Sequence, residues 1–368
     1  MLRYHCPMYL HERKNWTAFT WDEHAIAPLL GDARFAQGNL LGKLEGIGFD
    51  LSREIEVGSL CAEVIASSGI EGVDLDAAKV RSSVARRLGA DQFAEDLDTR
   101  DVDGVVDMVL DAVENRDHPL SDERLFSWHA ALFPAGYSGL RKINVAQYRT
   151  TPMEVVSGPF GHERIHFVAP EATSVPGLMA DFLTWFNANP STDLLVKAGL
   201  AHLRFLTVHP FEDGNGRIAR ALTDMLLAQS DGSPRRFYSM ARYIEANRND
   251  YYEAVEQAQK GTPDVTQWLT WFLTAVNASI EASGEEFDAV LRRSDFWSSI
   301  DSVPLNERQR KVLAVLVGSF EGKLTAKKWA KLCKVSPDTA LRDINDLVDK
   351  GVLKRDPAGG RSTSYSLR

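Results

Sequence analysis

Cysteine is scarce: Cys6, Cys61 and Cys333 are the only three in 368 residues, isolated from one another and without metal-ligand spacing. That excludes a disulfide-stapled scaffold and a cysteine-ligated zinc site, and reads most simply as free thiols in a reducing cytoplasm. Long apolar runs are missing too. No stretch reaches the ~18 apolar residues of a spanning helix, and the opening "MLRYHCPMYLHERKNW" lacks the apolar core of a signal peptide. Net positive charge is absent: the balance is −9 at pH 7, which argues against bulk attraction to nucleic acid or anionic membrane. Internal repeats and low-complexity tracts are lacking as well. The expectation is a soluble cytoplasmic protein of two or three domains, with no membrane partner.

What is present is mostly helical pattern. "WDEHAIAPLLGDARFAQGNLLGKLEGIGFD" carries Ile26, Leu29, Leu30, Phe35, Leu40, Leu41 and Leu44 at roughly helical spacing, with Asp22 as N-cap. A second helix is expected over about 51–71, ending at Gly72. "DVDGVVDMVLDAVENRD" and "SDERLFSWHAALFP" read as further helices, the latter opening at Ser121. The pattern breaks at 148–170, where Met153 to Val156 and Arg164 to Val168 flank "SGPFGH" as a β-hairpin. Two strands alone are marginal, so this hairpin must pack on helices or stand as an exposed edge. The fold class is mainly α. Three domains are expected: 1–95 helical, 96–285 a helical core bearing the hairpin, and 300–368 a winged helix-turn-helix read as helix, helix, short turn "KVSP", helix, hairpin.

One stretch, "HPFEDGNGRIAR" at 209–220, opposes helix stability. Glycine inside a helix costs about 1 kcal/mol relative to alanine, and cations in a first turn oppose the macrodipole. Backbone N–H groups at a helix start grip phosphate oxygens, and Gly214 and Gly216 let the backbone approach closely. Asn215 can add a side-chain donor. Arg217 and Arg220, three apart, share a face and can reach one polyphosphate. Asp213 is a hard oxygen ligand suited to Mg²⁺ beside phosphate, and His209 can take a proton near neutral pH. Phe211 reads as the apolar anchor of the loop. A metal-only site built on His209 and Asp213 leaves both arginines unexplained.

These residues resemble the signature of the Fic family, His-x-Phe-x-(Asp/Glu)-Gly-Asn-Gly-Arg-x-x-Arg, with every fixed position met. The resemblance covers about 100–280, and residues 1–95 are similar to the helical domain ahead of some bacterial Fic cores. It implies a protein adenylyltransferase moving AMP from ATP to a Ser, Thr or Tyr hydroxyl of a target protein and of itself. By that match His209 is the catalytic base, Asp213 the Mg²⁺ ligand, and Gly214, Asn215 and Gly216 hold the α- and β-phosphates. Arg217 meets the β-phosphate region and Arg220 the γ-phosphate. The hairpin resembles the family's flap, so Met153, Glu154, Val155 and Val156 are expected to dock the target by strand addition. "RNDYYEAVEQAQK" resembles the adenine-pocket segment, through Tyr251, Tyr252 and Gln259. A second family pattern, (Ser/Thr)-x-x-x-Glu-(Gly/Asn), is met by Ser67, Glu71 and Gly72. It implies that Glu71 pairs with Arg220 in place of the γ-phosphate while Ser67 bonds Arg217. Removal of AMP and a homodimer are further family properties.

The C-terminal 321–368 holds eleven Lys/Arg against six Asp/Glu. The wing "KRDPAGGRS" permits DNA binding, whereas Asp338, Asp343, Asp346 and Asp349 on the recognition helix would repel phosphates. Two alternatives to AMP transfer stand beside it: a DNA-binding regulator whose core senses nucleotide, and a transferase using another phosphate-containing donor.

Overall fold

A computed structural model describes residues 9–158, 162, 164–189, 191–318, 320, 322–357 and 363–368. Cys6, most of the expected hairpin loop and the expected wing tip at 358–362 lie outside these residues. Cys61 and Cys333 are free thiols. The described chain divides into two units, one up to Ser283 and the other Gly284–Arg368.

The first unit opens with α1 (Glu23–Glu45), α2 (Phe49–Ile70) and α3 (Ala77–Arg87), then α4 (Arg100–Glu114) and α5 (Asp122–Leu132). Short side chains start them: the Asp22 carboxylate accepts from the His24 and Ala25 amides, Asp76 caps α3 and Ser121 caps α5. On α1 the inward stripe is Ile26, Ala33, Gln37, Leu40 and Leu44. Phe35, expected in that stripe, is 78% exposed instead. It stands nine residues from Ile26, half a revolution round the helix at about 100° per residue. α2 ends in a Schellman closure, with Gly72 at φ +77° and the Val73 and Gly72 amides donating to the Ser68 and Gly69 carbonyls. That closure holds Glu71 at the helix tip.

After α5 come two antiparallel ribbons. β1 (Tyr137–Ser138) pairs with β2 (Arg141–Lys142), a turn that helical periodicity did not announce. β3 (Glu154–Ser157) pairs with β4 (Arg164–Val168) as expected, with a register irregularity between Val155 and Val156. β4 lays Phe167 against Tyr9, forming a small apolar cluster, while every residue of β3 is exposed. The core follows: α6 (Val175–Asn187), α7 (Leu194–Val208), α8 (Asn215–Asp231), α9 (Met240–Ala246), α10 (Arg248–Gln259) and, up to Ser283, α11 (Thr266–Ser299). Every residue of α7 from Leu195 to Val208 is buried, the mark of a central helix surrounded by others. α8 packs beside it through Ile218, Leu222, Met225 and Leu226, each no more than 1% exposed.

In the second unit α12 (Glu307–Gly318), α13 (Ala326–Cys333) and α14 (Pro337–Asp349) precede an antiparallel wing, β5 (Leu353–Arg355) with β6 (Tyr365–Leu367). This is a winged helix-turn-helix. Its own core gathers Val312, Leu313, Leu324, Trp329, Ile344, Leu347, Leu353 and Tyr365. The turn between α13 and α14 uses Lys334 in the left-handed region, then Ser336 as N-cap. The acidic face expected on α14 is only half there. Asp343 is buried and takes a two-pronged bond from Arg308 at 2.7 and 2.9 Å. Asp346 accepts from Gln309 and Lys350. Asp343 lies on the same stripe as Ala340, Ile344 and Leu347, so it turns inward with them.

Candidate active site

The junction of α7 and α8 is a tight loop pinned from three sides. His209 closes α7 at φ +50°, and Gly214 opens α8 at φ +81°, where a side chain would also meet the Phe133 ring at 2.9 Å. The Asn215 side chain, expected as a phosphate donor, is engaged within the loop. Its amide accepts from Phe211 N at 3.0 Å and donates to Phe211 O at 2.9 Å, locking the loop to the helix start. Phe211 is fully buried and stacks on His129, 4.3 Å between centroids. Ala146 N donates to His129 Nδ1, so Nε2 carries the proton and donates to Asp213 O at 3.2 Å. Arg149, invisible to pattern reading, is 1% exposed and holds the third side. Its guanidinium donates to His209 O (2.8 Å), Thr151 O (3.0 Å) and Pro170 O (2.6 Å), joining the loop to both ends of the β3–β4 flap.

His209 keeps an uncharged ring. Burial, chiefly, holds its imidazole down to about 4, against the opposing hydrogen bond to Leu206 O. The ring is therefore neutral at pH 7. Nδ1 faces that carbonyl at 3.3 Å and so carries the proton, which leaves the lone pair on Nε2.

The amides of Asn215, Gly216 and Arg217 have no partner within the helix, and a carboxylate sits over them. Glu71 Oε1 accepts from Arg220 Nη2 at 2.8 Å and lies so close to Gly216 that a Cβ there would fall 2.2 Å away. Ser67 also meets this arginine rather than Arg217, as first expected: its Oγ accepts from Arg220 Nε and its carbonyl from Nη2, both at 2.8 Å. One turn separates Ser67 from Glu71, so both reach the same guanidinium. Arg217 instead lies over the Phe133 ring at 4.9 Å. Arg217 Nε and Arg220 Nη1 are buried without a hydrogen-bond partner among the described residues. Two cations thus have donors to spare, which is the fit expected for a polyanion larger than one carboxylate.

Asp213 stands beside this cradle. Its carboxylate accepts from Ser138 Oγ of β1 and from Gly214 N at 2.5 Å. Among the described residues no group of three His, Cys, Asp or Glu could hold a metal. A single carboxylate suits Mg²⁺, which takes one or two such ligands and completes its shell with phosphate and water.

A cleft of about 1200 Å³ runs from the cradle along α10. It brings together Glu71, His209, Gly216, Tyr251, Tyr252, Gln259, Val155 and Val156. The two tyrosines differ. Tyr251 is 2% exposed with its hydroxyl bonded to His202, whereas Tyr252 is 43% exposed, beneath Arg248. Gln259 is buried at the wall. Of the four flap residues expected to dock a target, only Val155 and Val156 line the cleft. Met153 packs on the Tyr9–Phe167 cluster, because Ala169 N bonds its carbonyl and turns it off the strand edge; Glu154 is exposed elsewhere. Ser157, His166 and Glu256 line the cleft without any signal in the sequence pattern.

The site is thus an anion cradle between two central helices of a helical core, with the β3–β4 ribbon beside it. Residues 119–227 match the Fic/DOC family. Residues 9–90 match a domain of unknown function, DUF4172, and 308–364 a DeoR-like helix-turn-helix domain. A probable protein adenylyltransferase of Aquifex aeolicus is 28% identical over 28% of this chain and 30% of its own length. A protein adenylyltransferase Fic of Culex quinquefasciatus is 24% identical over 53% of this chain and 36% of its own. The chain therefore spans well under half the length of these curated relatives. Among solved structures, a Fic family protein from Desulfovibrio desulfuricans G20 superposes with TM-score 0.52 at 19% identity, covering 94% of this chain and 96% of that one. Fic-1 from C. elegans gives 0.51 at 20% identity over 73% and 74%. At those identities the likeness concerns the fold.

Proposed function

We propose that this protein transfers AMP from ATP, with Mg²⁺, to Ser, Thr or Tyr hydroxyls of a target protein, in the cytoplasm, and that its own Glu71 restrains it. The observation that carries this reading is the Glu71 carboxylate seated over Gly216 on Arg220, with buried arginine donors left over. A site built to receive a carboxylate there receives phosphate oxygens equally well. The names of the relatives support the AMP chemistry.

In this mechanism the first amides of α8 and the two arginines orient the triphosphate, and Asp213 would hold Mg²⁺, which supplies charge neutralisation when bound. His209 Nε2 takes the proton from the acceptor hydroxyl as that oxygen attacks the α-phosphorus and pyrophosphate leaves. Positioning and charge neutralisation carry most of the acceleration. Val155 and Val156, exposed on β3, offer the edge to which an extended acceptor segment adds. Tyr252 and Gln259 would wall the adenine. Glu71, on Arg220, takes the γ-phosphate's place.

Mass spectrometry of the full-length protein incubated with ATP and Mg²⁺ tests this. Glu71→Gly is expected to raise AMP incorporation at least tenfold over the natural chain, and adding His209→Ala to lower incorporation at least tenfold again on hydroxyls that have no other base beside them. Equal incorporation with and without Glu71 removes the restraint. Adducts that form only from another donor replace AMP transfer with that chemistry.

For the C-terminal unit we propose duplex DNA as partner. The inward turn of Asp343 favours it, because it takes one acid off the exposed face that Arg342 and Asn345 share with Asp338 and Asp349, while Asp346 is held by Gln309 and Lys350. Lys331, Lys334, Lys354 and Arg355 are exposed in the same unit.

A further inference from the structure

The flap carries a hydroxyl–imidazole–carboxylate series that the mechanism above does not use. Ser157 Oγ lies 2.6 Å from His166 Nε2, and His166 Nδ1 lies 2.6 Å from Glu256 Oε2 on α10. The carboxylate fixes the roles. Burial pushes the Glu256 acid up, but hydrogen bonds from Lys260 and His166 outweigh it and hold the group at about 2. An ionised carboxylate only accepts, so Nδ1 carries the imidazole proton. With Nδ1 given to Glu256, Nε2 is the ring atom that faces Ser157, whose hydroxyl can donate to it or accept from it. Rotation of Glu256 is blocked, because its other oxygen is taken by Lys260 Nζ at 2.5 Å and Arg164 Nη2 at 3.1 Å.

Two roles could explain this arrangement. A mechanical tie between flap and α10 needs only Arg164, His166 and Glu256. It does not need a solvent-exposed serine whose hydroxyl oxygen lies 2.6 Å from an oriented imidazole. That order of groups is the one that activates a nucleophile. Ser157, His166 and Glu256 line the same cleft as His209 and Gly216, and the electrophile the proposed reaction brings there is the α-phosphorus of ATP.

We propose that Ser157 is a self-modification site, an acceptor for AMP primed by His166 and Glu256. This rests on the AMP-transfer reading. In the step, the Ser157 O–H bond breaks and its proton passes to His166 Nε2. The Oγ–phosphorus bond forms, the bond from that phosphorus to the β-phosphate oxygen breaks, and pyrophosphate leaves with the electron pair. The imidazolium is stabilised by Glu256, and the new phosphodiester charge faces Arg164 and Lys260. Modification places a nucleotide on the β3 edge where acceptor strands would add, so the reaction limits itself.

The test uses the full-length Glu71→Gly protein with ATP and Mg²⁺, followed by peptide sequencing in the mass spectrometer. AMP is expected on Ser157, absent from Glu71→Gly/Ser157→Ala and present again with Ser157→Thr. His166→Ala and Glu256→Gln should each slow formation of that adduct at least tenfold. AMP on other hydroxyls with none on Ser157 overturns the proposal and leaves AMP transfer standing. So does a Ser157 adduct that forms at the same rate without His166. AMP nowhere on the protein overturns the transfer reading, and this site with it.

Discussion

At the scale of single residues, the site depends on side chains that serve the backbone as much as on those that would face substrate. Arg149 is the clearest. It spends its guanidinium on carbonyls at 209, 151 and 170, and its own amide on Pro210 O at 2.9 Å. Arg149→Met keeps length and removes all three donors. Each buried carbonyl left unpaired costs about 1–3 kcal/mol, so the variant should unfold several degrees lower and transfer little AMP even in a Glu71→Gly background. Thermal melting and adduct counting together check this, and an unchanged melt would show that the carbonyls find other partners. Nothing in the sequence announced this arginine, because its partners lie up to 60 residues away and it sits in a loop without periodicity. The use of the Asn215 side chain was hidden for a related reason. Its residue type fits phosphate or backbone equally well, and only the fold of the loop decides that Phe211 claims both ends of the amide. Glu71 and Arg220 were legible because the charges, the helical spacing and the signature all pointed to one pairing.

Elements were read more reliably than contacts. The caps at Asp22 and Ser121, the end of α2 at Gly72 and the flap strands follow from local chemistry that acts within four residues. The β1–β2 ribbon was missed because two-residue strands carry no period. The inward turn of Asp343 was missed although the signal existed, since the spacing of Ala340, Asp343, Ile344 and Leu347 traces one buried stripe. That stripe decides which α14 residues can read a duplex. Arg342 and Asn345, three apart and exposed, are of the types that make paired bonds to guanine and adenine edges. Arg342→Ala in the full-length protein should weaken binding to a duplex selected from a random pool about tenfold, in line with about 1–3 kcal/mol per base contact. Lys354→Ala should weaken all duplexes alike and lower the salt slope by about one. If neither change alters retention on DNA, this face is not a DNA reader.

At the scale of the whole molecule, three buried imidazoles set the response to acid. Burial holds His129 and His209 down to about 4 and His202 to about 3, below their ordinary value of 6.5. Below pH 6.5 the unfolded chain takes up these protons and the folded chain does not, so stability falls as pH falls. Each ring withdraws up to about 1.4 kcal/mol per pH unit until its folded value is reached. Glu56, Glu114 and Asp224 oppose them: burial raises each, so their protonated forms favour the folded state at low pH. His11, also lowered by burial, adds a fourth ring on the other side, in a protein whose total stability is about 5–15 kcal/mol. The alkaline edge has the mirror cause. Burial raises Tyr148, Tyr238 and Tyr251 above their ordinary value of 10, so above pH 10 the unfolded chain loses protons that the folded chain keeps. Burial also pushes the Cys61 thiol from 9.0 up to about 11, so the denaturation midpoint should be level between about pH 6.5 and 9 and drop on both sides. Denaturant titrations across that range check this. A midpoint that stays constant from pH 7 down to pH 5 would mean that these imidazoles are charged in the folded protein, and that His209 is then no base.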